Sequence, residues 1–393
     1  MKIALLRSSV HPWGGAERYV WSLAGELSRR GHEVHVFARR WEEPPGSSVT
    51  FHKVPVLGGL SFLKVLTFAL LSQAMLRGES FDIIHSFDRT LPQDIYRAGD
   101  GLHREWLRVS APHLPFWLRW SRWLNPLHWS ILWLEGKILR EKSCRVTAIS
   151  KRGAKEIARH FPQRAGSVPV LFNGVDLEEF SPEKRRFRQE MRERLGLGLE
   201  DFVVLFVGTG FFRKGLGPLI RALGLLKARG KEVRLLVAGR SAPYSYRRLA
   251  RDLGVEGWLF FAGGSREVSK LYGASDAFVL PALYEPFGNV CLEALASGLP
   301  TILSSRSGGA EILTHGEDGL LVSDPGDPEE IARLIERVMD KEFSRKLGEA
   351  ARRLAERFTI AANADATEAL YREVLEAKNR QNAGLPREGA PVR

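Results

Sequence analysis

Cysteine is scarce in this chain. The 393 residues contain only Cys144 and Cys291, which lie far apart in the sequence. Two such residues provide neither a disulfide framework nor a cysteine-based metal site, so the class of small disulfide-rich secreted proteins is excluded. We therefore expect a protein of the reducing cytoplasm.

Metal-binding patterns are also missing from the sequence. No Asp-x-Asp pair occurs, and no group of histidines and cysteines has the spacing of a metal site. The sequence therefore predicts an activity that requires neither a metal ion nor another cofactor.

Long hydrophobic runs are absent as well. The apolar stretch 62–75 is shorter than a bilayer-spanning helix and contains Lys64. The apolar residues 3–6 are too few for a secretory signal and soon give way to polar residues, so we expect them to form the first strand.

The composition that remains is that of an ordinary globular protein. Apolar residues make up 44% of the chain and charged residues 26%, and 393 residues exceed what one hydrophobic core usually holds. Only the segment 379–393 is polar, rich in glycine and proline and without periodicity, which predicts a flexible tail.

Short apolar runs alternate with helical patterns along the chain. The predicted strands are 2–7, 33–38, 82–86, 94–98, 145–149 and 168–171 in the first half, and 203–207, 233–238, 259–262, 277–280, 301–304 and 320–322 in the second. Such alternation predicts parallel sheets with helices on both faces. We expect an α/β fold of two Rossmann-like domains, 1–178 and 179–360, with the ligand between them at the carboxyl ends of the strands.

Two glutamates, Glu285 and Glu293, bracket a predicted connection between a strand and a helix. The amides that begin this helix belong to Phe287, Gly288, Asn289 and Val290. Free amides and the helix dipole attract phosphate. Because a carboxylate does not bind phosphate, the two glutamates are predicted to accept hydrogen bonds from hydroxyl groups on either side of the phosphates.

A second phosphate-binding segment follows the predicted strand 203–207. It contains Gly208, Arg213 and Lys214, but it lacks the full glycine pattern of a dinucleotide fingerprint and the Gly-Lys-Ser/Thr of a P-loop. In the other domain, Gly14 and Gly15 follow the first strand and allow close approach of the backbone to a ligand. The sequence thus predicts a diphosphate held between the domains.

The order of these segments resembles the retaining glycosyltransferases of family 4. The resemblance rests on the glutamate pair and on the segments 14–17, 172–176, 180–182, 208–215, 307–312 and 319–322, and it covers nearly the whole chain. It implies the GT-B architecture, in which two Rossmann-like domains face each other across a cleft. It also implies that the last helix, here about 361–377, packs back on the first domain.

The same resemblance implies roles for the candidate residues. Glu285 would position the hydroxyls of the donor sugar and Glu293 the ribose, while Arg213 and Lys214 would stabilise the departing diphosphate. In such enzymes the acceptor attacks from the face that the leaving group vacates, and a phosphate oxygen takes its proton. Many members carry a histidine where this chain has Asp100, so either Asp100 or His103 is expected to face the anomeric carbon.

Positive charge and tryptophan are concentrated in the first half of the chain. Residues 1–178 contain 25 Lys and Arg against 16 Asp and Glu, and six of the ten tryptophans fall within 103–142, interleaved with cations. Such a stretch is typical of a membrane surface, although the aromatics can instead pack inside the domain. Nucleic acid is disfavoured as a partner because no recognised binding motif accompanies the cations.

Within the family, residues 211–215 and Trp41 resemble the lipopolysaccharide core glucosyltransferases that act on inner-core heptose. This implies UDP-glucose as donor and a lipid-linked glycan as acceptor, at the inner face of the cytoplasmic membrane. A mannosyl- or other hexosyltransferase using another nucleotide sugar is the alternative. A glycosidase with two carboxylates, an epimerase or dehydrogenase, and a non-enzymatic membrane-binding protein each account for fewer of these residues.

We predict that turnover is independent of divalent metal. Arg213 and Lys214 supply the positive charge that a metal ion supplies to the leaving diphosphate in other enzymes. The measurement is the initial rate with a nucleotide sugar after dialysis against EDTA, well below the melting temperature. Complete loss of turnover that magnesium or manganese restores would contradict the prediction.

Overall fold

The computed structural model of this chain describes residues 1–11, 14–42, 46, 48–91 and 93–382. Two six-stranded parallel sheets organise it, which confirms the expected α/β fold. Alternate residues of the first strand point into two different hydrophobic cores, one on each face of the first sheet, and helices complete both cores. Ile3 and Leu5 belong to one hydrophobic cluster, and Ala4 and Leu6 belong to another.

The first eight strands build the first sheet and a small parallel pair. They are β1 (Lys2–Leu6), β2 (Ser9–Val10), β3 (Glu33–Ala38), β4 (Arg40–Trp41), β5 (Val49–Lys53), β6 (Ile83–Ser86), β7 (Ile95–Ala98) and β8 (Arg145–Ala148). The sheet order is β5-β3-β1-β6-β7-β8, and β2 pairs with β4. β1 and β7 therefore flank β6, and their carboxyl ends lie on the same side of the sheet.

The last six strands build the second sheet. They are β9 (Val203–Val207), β10 (Arg234–Ala238), β11 (Leu259–Gly263), β12 (Ala277–Leu280), β13 (Thr301–Ser304) and β14 (Leu320–Val322), in the order β11-β10-β9-β12-β13-β14. All six correspond to predicted strands. β9 and β12 are fully buried neighbours at the centre, so the loops that follow them meet at the same edge.

One predicted strand of the first domain is wrong, and three observed strands, the two-residue β2 and β4 and the longer β5, were not predicted. Residues 168–171 contribute only a bridge between Ala148 and Val170, since Pro169 has no amide hydrogen to extend a ladder. The sixth strand is instead β5, an edge strand with mostly exposed side chains and no apolar run to indicate it.

Fourteen α-helices lie in the described part of the chain. They are α1 (Gly15–Arg29), α2 (Ser61–Leu76), α3 (His103–Ser110), α4 (Phe116–Trp123), α5 (Pro126–Arg140), α6 (Lys151–His160), α7 (Arg188–Leu195), α8 (Leu216–Ala228), α9 (Tyr244–Asp252), α10 (Val268–Ala274), α11 (Asn289–Ala296), α12 (Pro328–Val338), α13 (Lys341–Ala355) and α14 (Ile360–Asn382). In the described segments, none is long and apolar enough to cross a membrane.

The last helix, α14, packs on the first domain. Tyr371 lies in the first-domain core, where its hydroxyl is 2.8 Å from Nδ1 of His85. The hydroxyl of Tyr19 on α1 donates to Oδ1 of Asn363 at 2.8 Å. The helix continues to Asn382, so the predicted start of the tail at residue 379 is wrong; residues 383–393 lie outside the described ones.

The tryptophan-rich stretch folds into α3, α4 and α5, separated by prolines. No residue of α4 is buried, and a group of large apolar side chains stands in solvent: Phe116, Trp117, Leu118, Trp120, Trp123, Leu124, Trp129 and Trp133. We call these eight residues the aromatic face. The alternative that these tryptophans pack inside the domain is therefore wrong, and only Trp106 of the six turns partly inward.

Candidate active site

A cavity of about 630 Å³ opens between the two sheets at the carboxyl ends of their strands. The sequence-predicted residues that line it are Gly14, Gly15, Asp100, His103, Gly208, Arg213, Lys214, Glu285, Gly288, Asn289, Val290 and Glu293. Phe287 alone of the predicted set is not part of this lining. Its ring fills the second-domain core, with its centroid 5.9 Å from that of Phe172.

Glu285 lies between two cations on the neighbouring loop. One carboxylate oxygen is 2.8 Å from Nζ of Lys214 and 3.2 Å from Nη1 of Arg213. Burial opposes ionisation of this carboxyl, yet the two cations outweigh it and lower the pKa of Glu285 to about 2. The group is therefore a carboxylate at every physiological pH, and the cluster of three charges carries one net positive charge.

Glycines make this cluster geometrically possible. A β-carbon on Gly208 would lie 2.4 Å from Cδ of Lys214, so the lysine side chain occupies the space that any other residue would need. Gly215 has φ of +81°, and a β-carbon there would lie 1.9 Å from the carbonyl oxygen of Pro281. The loop after β9 can therefore lie directly against the connection after β12.

Glu293 occupies the first turns of α11, the helix that begins at Asn289 after the left-handed Gly288. Its Oε2 accepts a hydrogen bond of 2.9 Å from the hydroxyl of Tyr272, and its Oε1 lies 3.6 Å from Nη1 of Arg18 in the first domain. The tyrosine holds the carboxylate in place from behind. Nothing in the sequence indicated Tyr272, which lies on α10, before the strand β12 that precedes the glutamate motif.

Asn289 joins the second domain to the first across the cavity. Its Nδ2 donates to the carbonyl oxygen of Gly15 at 2.5 Å, and its Oδ1 accepts from Nδ2 of Asn173. Asn173 in turn accepts a hydrogen bond from Arg97. Asn173 belongs to the segment 172–176 but was not predicted as a site residue, and it lines the cavity next to the glycines.

A second link between the domains comes from the segment 307–312. The carboxylate of Glu311 accepts from the amides of Lys151 and Arg152 at 2.7 and 2.5 Å, so it caps the first turn of α6 in the other domain. Tyr284 adds a third link, because its hydroxyl donates to Glu156 at 3.0 Å. The motif residue Glu311 thus connects the domains outside the cavity.

Asp100 and His103 lie on the first-domain wall. Asp100 pairs with Arg7 at 3.0 Å; burial opposes its ionisation, but Arg7 outweighs this and lowers the pKa of Asp100. Burial, with the nearby Arg89, lowers the pKa of His103 to about 4, and its Nε2 is 2.9 Å from Nδ1 of His128. At neutral pH the wall therefore presents a carboxylate and a neutral imidazole.

Cations exceed carboxylates around the cavity. Besides Arg213 and Lys214, five arginines line it that were not predicted: Arg7, Arg18, Arg89, Arg97 and Arg240. The lining carboxylates are Glu17, Asp100, Glu285 and Glu293. The cavity is thus suited to a ligand with more than one negative charge.

Sequence comparison places the chain in a family. Residues 13–179 match the model described as Glycosyltransferase Family 4, and residues 187–354 match that of Glycosyl transferases group 1. Together the two models span most of the chain. This protein belongs to the family 4 glycosyltransferases. The resemblance inferred from the motifs is thereby confirmed. The prediction that the protein is a glycosyl-transferring enzyme is confirmed as well.

Individual relatives agree with this assignment. An uncharacterized glycosyltransferase of Methanocaldococcus jannaschii, MJ1607, is 29% identical over 358 residues, which cover 86% of this chain and 89% of the relative. The lipopolysaccharide glucosyltransferase WaaG of Escherichia coli is 24% identical over 341 residues, covering 86% and 90%.

Solved structures share the fold. The crystal structure of WaaG matches with a TM-score of 0.81 and 23% identity, over 94% of this chain and 99% of that one. HepE of Anabaena, solved in complex with UDP-glucose, matches with a TM-score of 0.72 and 20% identity, over 96% and 100%. The expected GT-B architecture is confirmed by these likenesses.

We predict that the variant Glu285→Gln is less stable than wild type at pH 7 but loses less stability on acidification. The wild-type carboxylate contributes stability above its ordinary pKa of 4.5, and this contribution is lost as the pH falls toward 2. A pKa difference of this size corresponds to about 3 kcal/mol, of which about 2 kcal/mol is lost between pH 7 and pH 3. Urea unfolding at the two pH values measures the difference.

The matched control for this experiment is Glu178→Gln, which removes an exposed carboxylate of the same type. It should follow wild type at both pH values. Equal acid sensitivity of wild type and Glu285→Gln would contradict the assignment of the low pKa to Glu285.

Proposed function

We propose that this enzyme transfers a glucosyl group from UDP-glucose to a lipid-linked glycan, such as the heptose of a lipopolysaccharide core, with retention of the anomeric configuration. The observation that carries the proposal is the cluster of Arg213, Lys214 and Glu285. Two cations share one buried carboxylate, so one positive charge is left to attract a diphosphate. Gly14 and Gly15 of the first domain line the same cavity.

The ribose is assigned to Glu293. A carboxylate held by Tyr272 has lone pairs left to accept hydrogen bonds from two neighbouring hydroxyls. Its second oxygen lies 3.6 Å from Arg18, which is beyond hydrogen-bonding distance and leaves room for a hydroxyl to compete. The uridine would then extend from Glu293 toward the loops after β10 and β11, where Arg240 and Ser265 line the cavity.

The chemical step follows from this arrangement. The bond between the anomeric carbon and the β-phosphate oxygen breaks, and its electron pair goes to the diphosphate, which Arg213 and Lys214 stabilise. The acceptor oxygen then bonds to the anomeric carbon on the same face, and its proton passes to the departing phosphate oxygen. Glu285 holds the two cations in place and is assigned to the hydroxyls of the sugar.

The first-domain wall contributes Asp100 and His103 to this step. A carboxylate near the anomeric carbon stabilises the positive charge that develops as the leaving group departs. Asp100 fits this role because Arg7 keeps it ionised, whereas His103 is neutral at pH 7 and is engaged with His128. We therefore assign the anomeric carbon to Asp100 and a polar contact with the sugar or acceptor to His103.

Support for UDP-glucose comes from the relatives. WaaG is named as a glucosyltransferase of lipopolysaccharide, and HepE was solved with UDP-glucose. The lipid-linked nature of the acceptor is inferred from the aromatic face of the first domain. The stretch that carries the aromatic face reaches the cavity, since the ring centroid of Trp106 is 6.2 Å from that of Tyr284, and that of His113 is 6.2 Å from that of Phe212.

The aromatic face supports peripheral binding to the inner surface of the cytoplasmic membrane. Trp117, Trp120 and Trp123 are each more than 60% exposed, and Arg119 and Arg122 lie between them on α4. Between α2 and α5 an apolar groove of about 460 Å³ continues the face through Trp129 and Trp133. Amphipathic aromatics next to cations suit an interface with anionic lipid. A lipid-linked acceptor would thus enter the cleft from the membrane.

We predict that UDP-glucose raises the melting temperature and is slowly hydrolysed, and that Glu293→Ala abolishes both effects. At a free concentration of about 100 times its Kd, a ligand adds about 2.7 kcal/mol to the free energy of unfolding. This raises the melting temperature of a protein of this size by several degrees. The measurement is thermal unfolding and product release with a panel of UDP-, GDP- and ADP-sugars. Glu317→Ala, which removes an exposed glutamate of the same domain, serves as the control.

Three results would decide this test against us. If no nucleotide sugar shifts the melting temperature, or if Glu293→Ala responds like wild type, the assignment of the donor site fails. If a sugar other than UDP-glucose gives the larger shift, the donor-site assignment holds and the choice of UDP-glucose is wrong.

We predict that the protein floats with anionic liposomes and that serine at positions 117, 120 and 123 together abolishes flotation. The three indoles contribute most of the exposed apolar area of α4, and the neighbouring arginines attract the anionic surface. The control Tyr244→Ser removes an equally exposed aromatic from the second domain and should leave flotation intact. Flotation unchanged by the triple replacement, or equal flotation with neutral liposomes, would contradict the proposal.

A further inference from the structure

A group of charged and imidazole side chains lies on the first sheet, away from the cleft. Lys2 and Glu33 are the first residues of β1 and β3, and Glu79 lies in the connection before β6. The cleft opens at the carboxyl ends of the same strands. His35 on β3 and His52 on β5 complete the group, and the family signature includes none of these five residues.

Three potential metal-ligand atoms converge in this group. Nδ1 of His35 is 2.8 Å from Nε2 of His52 and 3.9 Å from Oε2 of Glu79, and all three atoms lie within 4.8 Å of one another. Two imidazole nitrogens and one carboxylate oxygen are a common ligand set for zinc.

Neighbouring residues orient the side chains that carry these three atoms. The other ring nitrogen of His35, Nε2, is 2.9 Å from Oε1 of Glu33, the carboxylate–histidine arrangement that orients metal ligands in proteins. Lys2 binds Oε1 of Glu79 at 2.6 Å, which fixes this carboxylate while Oε2 faces the histidines. With neutral imidazoles, Lys2, Glu33 and Glu79 leave one net negative charge to attract a cation.

Aromatic packing holds the imidazole rings in place. The ring of His52 is stacked on Phe37 with centroids 4.4 Å apart, and His35 meets the edge of Phe81 at 5.2 Å. His35 is almost fully buried, whereas Glu79 is about one third exposed, so an ion can enter from the carboxylate side.

We propose that His35 Nδ1, His52 Nε2 and Glu79 Oε2 bind one divalent transition-metal ion of the zinc type. Nitrogen ligands about 2.0–2.1 Å from a tetrahedral ion lie roughly 3.4 Å apart, so the two rings need to separate by about 0.6 Å. The ion replaces the proton that the two nitrogens share, and water takes the fourth position. It ties the edge strand β5 to β3 and to the chain that follows α2.

The site is separate from catalysis. None of its three ligands lines the cavity that contains Asp100 and Gly14, so the ion acts on stability and not on the transfer step. The proposal therefore agrees with turnover that does not need a metal. It also does not depend on the identity of the donor or of the acceptor.

The test is a titration of untagged full-length protein, stripped with EDTA, with Co²⁺ and Zn²⁺. We expect one equivalent of Co²⁺ to produce the visible absorption of a four-coordinate site, Zn²⁺ to displace it, and either ion to raise the melting temperature. Glu79→Gln and His52→Asn should each weaken binding about tenfold or more. His315→Asn, which removes an exposed histidine of the second domain, should bind like wild type.

Two results would overturn the proposal. Absence of saturable binding at micromolar metal would show that the cluster is only a hydrogen-bonded network. Equal binding by wild type and Glu79→Gln would place the ion elsewhere on the protein. Glu79→Gln makes the test independent of folding defects in the histidine variant, because it keeps the size of a partly exposed side chain.

Discussion

A buried carboxylate between two cations fixes the centre of this structure. Glu285 follows β12 and Arg213 and Lys214 follow β9, so their ion pairs set the separation of the loops beyond the two central strands of the second sheet. The main chain reinforces them, since the amide of Leu283 donates to the carbonyl oxygen of Arg213 at 2.9 Å. Removing one partner of such a buried pair costs about 3–5 kcal/mol because the other charge stays buried.

The same segment determines how the domains meet. The carbonyl oxygen of Glu285 accepts from the amide of Gly308 at 2.8 Å, which places the following Glu311 against the start of α6. Asn289, four residues after Glu285, reaches Gly15 and Asn173 of the first domain. The charge cluster, the helix cap and the asparagine bridge are therefore one continuous structure. Through Glu285, the two cations that line the cavity are therefore linked to the contacts that join the domains.

The sequence predicted those features whose residues are close together along the chain. β9 and β12 are uninterrupted buried runs, and the glutamate pair and the Arg-Lys pair are short motifs, so all were found. β5 is an exposed edge strand without such a run. Tyr272 reaches Glu293 and Arg7 reaches the cavity from elsewhere in the chain, and only the folded arrangement of strands and helices brings them there. For the same reason no spacing rule indicated His35, His52 and Glu79 as neighbours.

The environment of Glu285 argues against a glycosidase. A glycosidase needs one carboxyl group that is protonated near neutral pH to act as the acid, which requires a raised pKa. Glu285 has the opposite property, because two cations hold its pKa at about 2. Glu293 accepts a hydrogen bond from Tyr272 and lies 3.6 Å from Nη1 of Arg18, so its two oxygens already face a hydroxyl and a cation. Glu285 therefore cannot donate a proton to a glycosidic oxygen, whereas a nucleotide diphosphate leaves without one. In the reaction that we propose, the two glutamates hold cations and hydroxyl groups around the leaving phosphate, and Arg213 and Lys214 supply the charge that stabilises it.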